Sequence, residues 1–425
     1  MAMATDVPKD SFRLSMLVYD TRYRSYTIQL VVLVLFAMAV AWLLNNTVQN
    51  LAARGKEFNY TFLWQRAGYD IGQQLIPYTN DSTHFRALLV GLINTLVVAF
   101  FGCIFATILG VVVGVLRLSK NWLVSRLMTI YVETFRNVPL LLWILLSYVI
   151  LSETTPLPKD FKVTDEMIAA GEVPKASMML FDTVAVTNRG TNIPAPLFER
   201  GLGTLDLGFM SLNLTFWAVV AVIAASIYVN HRIVAAARAT QEATGFRPVT
   251  WWKSLLVLFA PVIALLVAMG FHLEIPALKG FNFQGGILVA HSFTALLIAL
   301  TLYTAAFIAE IVRAGIMAIS RGQSEAAFAL GLRPNRTMSL IILPQALRVS
   351  IPPLISQYLN LTKNTTLGMA ISYLDLKGTL GGITLNQTGR ELECMLLMML
   401  IYLILSLIIS SLMNLFNSAM KLKER

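Results

Sequence analysis

Eight long, nearly uncharged apolar runs constrain this chain more than any motif in it. They fall at about 26–45, 88–116, 127–151, 212–230, 254–271, 292–314, 346–371 and 395–417. At about 1.5 Å of rise per residue, such runs match a hydrocarbon layer of roughly 30 Å. Lipid offers no partner to a free N–H or C=O, so the runs must satisfy their own backbones as helices. The chain therefore reads as an all-α integral membrane protein with about eight transmembrane helices. The run at 254–271 is short, and the one at 127–151 is part amphipathic. Composition agrees: only 13% of residues are charged, against about 25% in soluble domains. The first run follows about 25 polar residues and lacks a small-residue cleavage site, so it reads as an anchor rather than a cleaved leader.

Charge orients the spans. With both termini on the inner side, the inner segments hold 20 of the 33 Lys and Arg but only 8 of the 23 Asp and Glu. The outer segments hold 12 basic and 15 acidic residues, and Lys363 is left within a span. Positive residues collect on the inner side of membrane proteins. The net charge of +10 is thus scattered in juxtamembrane clusters, not gathered on one face, which argues against a nucleic-acid partner. Cys103 and Cys394 have no metal or redox spacing.

Between the sixth and seventh runs lies Glu325-Ala326-Ala327-Phe328-Ala329-Leu330-Gly331, followed after nine residues by Ile341-Ile342-Leu343-Pro344. Ser324 can cap a short helix starting at Glu325, whose charge suits the positive helix end. Gly331 can close that helix in a left-handed conformation, and Pro334 can start a second one. The stretch predicts a compact helix–turn–helix knob; the plainer reading is a loop with a glycine cap.

The stretch resembles the EAA loop (E-A-A-x3-G-x9-I-x-L-P) of the membrane subunits of ABC importers. The resemblance implies that Glu325, Ala326, Ala327, Gly331, Ile341, Leu343 and Pro344 form a pair of short helices docking into a groove on a separate ATPase. It extends to the polar-amino-acid permeases through Asn94-Thr95-Leu96, Arg117-Leu118-Ser119, Glu133-x-x-Arg136-x-x-Pro139, Ala309-Glu310-Ile311-Val312-Arg313 and Asn360–Leu367. With the insert at 152–291 the chain looks like the longer, general L-amino-acid subgroup of Gram-negative bacteria, with a type I importer permease core and an inserted pair of helices. On that reading residues 1–25 form a cytoplasmic tail, and 26–87 the first span and a periplasmic loop. Residues 88–151 and 292–417 form the two parts of the core, the latter carrying the coupling loop at 315–345. Residues 152–291 are the insert, and 418–425 a second cytoplasmic tail. The implied partners are a pair of ATPase subunits, a second homologous permease subunit, a periplasmic amino-acid-binding protein, the L-amino-acid substrate and membrane lipid. ATP and Mg would sit on the ATPase and no cofactor on this chain, which would be a multi-pass protein of the bacterial inner membrane.

Several side chains stand out on their own chemistry. Glu133 with Arg136, and Glu310 with Arg313, each place a carboxylate three residues before a cation near an inner boundary. At i,i+3 on a helix each pair can close as a structural ion pair. Gly102, Gly110 and Gly114 set small residues near one helix face, allowing close helix contact. Pro352 and Pro353 should kink or break the seventh span. Lys363, Asn364, Thr365 and Thr366 form the most polar run inside any span. A Lys there needs a cavity or a partner, so the four are candidates for lining a translocation path, with Lys363 facing a substrate carboxylate. The alternative is that the span ends near 361 and the run caps it.

What is missing also guides the reading. There is no G-x-x-x-x-G-K-[ST] loop to cradle ATP phosphates, no metal-ligand cluster and no G-x-S-x-G nucleophile. The histidines lie near span edges or in outer loops and read as bland interfacial residues. The rivals to an ABC permease are an ion-coupled amino-acid carrier, which calls for inverted repeats and an acidic midplane site, and a membrane enzyme or receptor, which calls for a catalytic cluster or a signalling domain. None of these features is evident.

Overall fold

The computed structural model describes residues 16–53, 55, 58–162, 174–206 and 211–420. Most of the two expected tails (1–15 and 421–425), together with 163–173 and 207–210 of the insert, lie outside the described residues. The chain divides into two units after Phe62. The first holds α1 (Thr21–Ala53), a single helix about 50 Å long. The second holds α2 (His84–Leu116), α3 (Trp122–Asn137), α4 (Leu140–Thr154), α5 (Leu214–Thr244), α6 (Trp251–Ala268), α7 (His291–Met317), α8 (Arg321–Ala329), α9 (Pro334–Thr337), α10 (Leu343–Asn364) and α11 (Glu391–Met420). Among the described residues seven helical stretches are long and apolar enough to cross a membrane.

The third expected span, 127–151, is two helices. α3 and α4 meet at Val138-Pro139 with a bend of 106°. Pro139 cannot donate a helical hydrogen bond and drives the residue before it out of the helical region; Val138 sits at φ −101°, ψ 135°. The apolar count across the boundary was sufficient for one span, but the proline ends the helix.

α7 is the hub of the transport core. It packs against α2, α3, α4 and α10, and Leu296, Leu300, Ile308 and Val312 are buried there with Val98, Ile144 and Leu361. Between lipid-immersed helices there is little hydrophobic drive, so close contact depends on small residues. A Cβ on Gly110 would lie 2.6 Å from Ile308 Cβ, and one on Gly114 2.7 Å from the Ala309 carbonyl oxygen. Gly102 instead meets Leu361 of α10. Eight residues of helix turn the face by about 80°, so the three glycines serve two neighbours rather than one. On the far side of α7, Gly315 lies against Ala346 and Ser350 of α10.

Pro352 and Pro353 do not break the seventh span, because α10 runs unbroken from Leu343 to Asn364. The pair leaves the carbonyls of Arg348 and Val349 without their usual helical donors, a gap that membrane helices tolerate. Ser350 Oγ donates to Ala346 O at 2.8 Å, and Ile351 and Leu354 are buried alongside.

The insert is not purely helical. β1 (Ala185–Thr187), β2 (Gly190–Ile193) and β9 (Ile287–Val289) form a three-stranded antiparallel sheet, and β3 (Ala195–Phe198) pairs with β6 (Phe271–Glu274). β4 (Thr204–Asp206) with β5 (Ser211–Asn213), and β7 (Ala277–Lys279) with β8 (Asn282–Gln284), make short hairpins. The insert therefore leaves and returns through one ribbon. His291 Nε2 donates to Thr187 O at 2.6 Å, and Asn188 N–H to Pro156 O at 2.9 Å, which staples that ribbon over the first turn of α7. α5 and α6 pack chiefly on each other.

Replacing Gly110 by Ala should therefore cost about 1–3 kcal/mol and lower the thermal midpoint of the purified chain. Gly322→Ala, where the new Cβ would meet only Ser320 Oγ at 3.9 Å, should leave it unchanged. Thermal unfolding in detergent, read by size exclusion, compares the two; equal midpoints would reject the tight α2–α7 seam.

Candidate coupling loop, charge network and path residues

α8 starts earlier than its sequence suggests. Its N-cap is Ser320, at φ −61° and ψ 141°, so Ser324 lies inside the helix and does not cap it. Ala-rich helix propensity extends the helix back through Arg321. The C-terminus closes in a Schellman motif: Gly331 N–H donates to Phe328 O at 2.9 Å and Leu332 N–H to Ala327 O at 3.1 Å, with Gly331 at φ +78°. Pro334 is the first residue of α9. α9 is not a free second helix, since it runs through one π turn, Met338–Ile342, directly into α10. The knob is thus one free helix beside the end of a span.

The loop residues divide by burial. Ala327 and Ile342 are buried, Ile341 and Leu343 half-buried, and Glu325, Ala326, Gly331 and Pro344 exposed. Ile341 and Ile342 pack into the transport core, and Gln345 Nε2 donates to Gln323 Oε1 at 3.3 Å across the base of the knob. Phe328 is 50% and Leu330 81% exposed. A rooted knob thus presents apolar and acidic groups outward.

Beside it lies a charge network. Glu310 accepts from Arg313 Nη2 at 2.6 Å and also pairs with Arg117. Glu133 does not pair with Arg136. Arg117 takes it instead, with Nη2 at 3.2 Å from Glu133 Oε1 and Nε at 3.2 Å from Thr129 Oγ1. The planar guanidinium fork can serve two carboxylates at once, and Arg117 caps the C-terminus of α2 where α3 and α7 converge. Arg136 lies over the Phe307 ring, 5.3 Å from its centroid. Arg117 thus ties the end of α2 to both α3 and α7, while Arg313 pairs within α7. Arg117 could not be read as a member from local spacing, because its partners stand 16 and 193 residues away.

The path candidates are not brought to one surface. Lys363 is exposed in the last turn of α10, and Asn364 and Thr366 are half-buried. The Thr366 hydroxyl donates to Lys363 O at 2.8 Å. Thr365 is fully buried and its hydroxyl donates to Thr362 O at 3.0 Å and to Asp375 Oδ2 at 3.2 Å. Asp375, absent from the sequence-derived set, lies between the spans that end at Ile371 and begin at Glu391. It also accepts from Gly378 N–H at 2.8 Å and from the Tyr402 hydroxyl at 3.4 Å. Burial pushes its carboxyl up to about 6, although these donors favour the charged form. Asn94 Nδ2 donates to Leu374 O and the Thr95 hydroxyl accepts from Leu376 N–H, so the same segment is stitched to α2. A groove of about 560 Å³ between α2, α10 and α11 is almost wholly apolar, its hydroxyls of Thr107 and Tyr358 paired at 2.7 Å. It does not match a zwitterion. Among the described residues no group of His, Cys, Asp and Glu could hold a metal ion.

Residues 247–422 match the family described as "Binding-protein-dependent transport system inner membrane component". The chain is 69% identical, over all of both chains, to the glutamate/glutamine/aspartate/asparagine transport system permease protein BztB of Rhodobacter capsulatus. It is 41% identical, over 98% of this chain and 96% of the other, to the general L-amino acid transport system permease protein AapQ of Rhizobium johnstonii. A shorter stretch, 28% of this chain and 26% of the other, is 42% identical to BztC, a second permease protein of the Rhodobacter system.

The network makes a specific energetic statement. In a double-mutant cycle with Arg117→Gln and Glu310→Gln, the coupling should be about 1–2 kcal/mol. A cycle with Glu133→Gln and Arg136→Gln should give nearly none. Thermal stability of the four single and two double variants measures both; the reverse order would restore the local Glu133–Arg136 pair.

Proposed function

The chain belongs to the family of inner membrane components of binding-protein-dependent transport systems, and on that footing we propose that it is the permease subunit of an ATP-driven importer that carries L-amino acids inward. The observation that supports the reading is the rooted knob at α8, which leaves Glu325, Phe328 and Leu330 exposed. The names of the relatives support glutamate, glutamine, aspartate and asparagine as the substrate class.

The partners follow from what the chain lacks. Nothing in its sequence cradles a nucleotide, so ATP and Mg belong on a pair of ATPase subunits that receive the knob. A second, BztC-like permease subunit completes the pathway, and a periplasmic binding protein delivers substrate. Both termini face the cytoplasm. ATP binding closes the ATPase pair, and the knob passes that motion through the π turn into α10. The spans then exchange an inward-open for an outward-open state, which is a population shift between two arrangements. Lys363, at the end of the same helix, meets the substrate carboxylate; Asn364 and Thr366 offer neutral hydrogen bonds beside it.

Two substitutions test the knob. Gly331 occupies the left-handed region, which costs a residue with a Cβ about 1–2 kcal/mol and a β-branched one more. Gly331→Val and Glu325→Lys should abolish uptake while membrane insertion stays normal. Normal uptake by both at normal expression would sink the docking assignment. Lys363→Met should leave assembly and ATP hydrolysis intact yet reduce uptake, most for acidic substrates; unchanged uptake would put Lys363 outside the path. A cysteine at Ser177 should react with an impermeant thiol reagent from the periplasm and one at Thr244 should not, and the opposite labelling would reverse the topology.

A further inference from the structure

The proposed transport cycle assigns no task to the helix pair of the insert, and among the described residues its cations make no salt bridge. α5 and α6 pack on each other, and neither buries much of its apolar length inside the protein. α5 has 31 residues and α6 has 18, about 46 Å and 27 Å. α5 therefore runs past the hydrocarbon layer at the end where residues 245–250 join the two. Around that join stand four exposed cations: Arg232, Arg238, Arg247 and Lys253.

Aromatic side chains mark the depth. Tyr228, midway along α5, and Trp251 and Trp252, at the start of the shorter α6, are all exposed, and such amphipathic rings settle at the boundary between hydrocarbon and headgroups. Arg232 Nη1 donates to the Tyr228 hydroxyl at 3.2 Å. Lys253 Nζ lies 5.4 Å from the centroid of the Trp252 ring. Two of the cations are thus held at ring depth, while Arg238 and Arg247 stand further out. Neither a phenol nor an indole neutralises a charge. Glu242 is the sole acidic residue in 231–253. Among the described residues none of the four cations makes a salt bridge to a carboxylate.

We propose that this end of the α5–α6 hairpin is a binding surface for anionic phospholipid headgroups, which hold the insert in the bilayer. Lipid phosphates are the anions present at the depth of Arg232 and Lys253. An acidic partner protein would meet Arg238 and Arg247 first and would have no use for cations placed at the rings. The proposal rests on membrane residence and does not depend on the importer reading.

The test uses the full-length chain in nanodiscs of phosphatidylcholine mixed with phosphatidylglycerol, with retained lipid read by native mass spectrometry. The unmodified chain should retain phosphatidylglycerol selectively. Each basic residue near an anionic surface contributes about fivefold in affinity, so Arg232→Gln with Lys253→Gln should reduce that affinity about 25-fold, with phosphatidylcholine retention unchanged. Arg232→Lys with Lys253→Arg should restore it, which separates a charge effect from misfolding. Undiminished selectivity in the double-Gln variant would overturn the proposal. So would an equal loss of phosphatidylglycerol and phosphatidylcholine in the double-Gln variant, since the two cations would then not be reading lipid charge.

Discussion

The close approach of α2 to α7 is the contact on which the rest of the core depends. Helices in lipid gain little by hiding apolar surface from one another, because lipid tails are as apolar as leucine. What holds them is fit, and Gly110 and Gly114 remove the atoms that would keep α2 off Ile308 and Ala309. With α2 seated, Gly102 admits Leu361 of α10, and Gly315 admits α10 from the other side of α7. Three helices are thereby fixed around one buried axis. The coupling-loop candidates and the polar-run candidates lie toward the two ends of that axis.

At one end the axis carries the charge network and the knob. Arg117 and Glu310 close on each other across α2 and α7, and Glu133 ties in α3. α7 leads directly into α8, and α10 grows without a break out of α9 through a single π turn. A push on the knob cannot be absorbed by a slack linker, since backbone hydrogen bonds run through the junction. π turns concentrate at functional sites because they reorient side chains without ending a helix. At the other end, Asp375, Thr365, Asn94 and Thr95 knit the segment after α10 onto α2. The polar run after Leu361 is therefore half structural, with Thr365 turned inward and Lys363 left open.

The insert follows a different logic. Its short strands are individually too small to persist, and they hold because β2 finds β9 (Asn192 opposite Leu288) and β3 finds β6 (Leu197 opposite His272) much later in the chain. That closure lets a hairpin of two helices be added without disturbing the core, since the chain leaves and re-enters at one place.

Sequence by itself determined the solvent the chain lives in, the number of apolar runs, the position of the knob and the φ > 0 turn at Gly331. Each is a local property: run length, charge bias, or a glycine where a side chain would strain the backbone. Tertiary structure decided what depends on distant partners. Pro139 broke a span while Pro352 and Pro353 did not: Val138 left the helical region, whereas α10 stays helical through its pair beside buried Ile351 and Leu354. Glu133 left Arg136 for Arg117 because a third helix brought a better donor. Asp375 became the anchor of the polar run because Thr365, Gly378 and Tyr402 converge on it from three segments. Helical spacing can propose an i,i+3 pair, but whether that pair forms depends on what the fold places beside it.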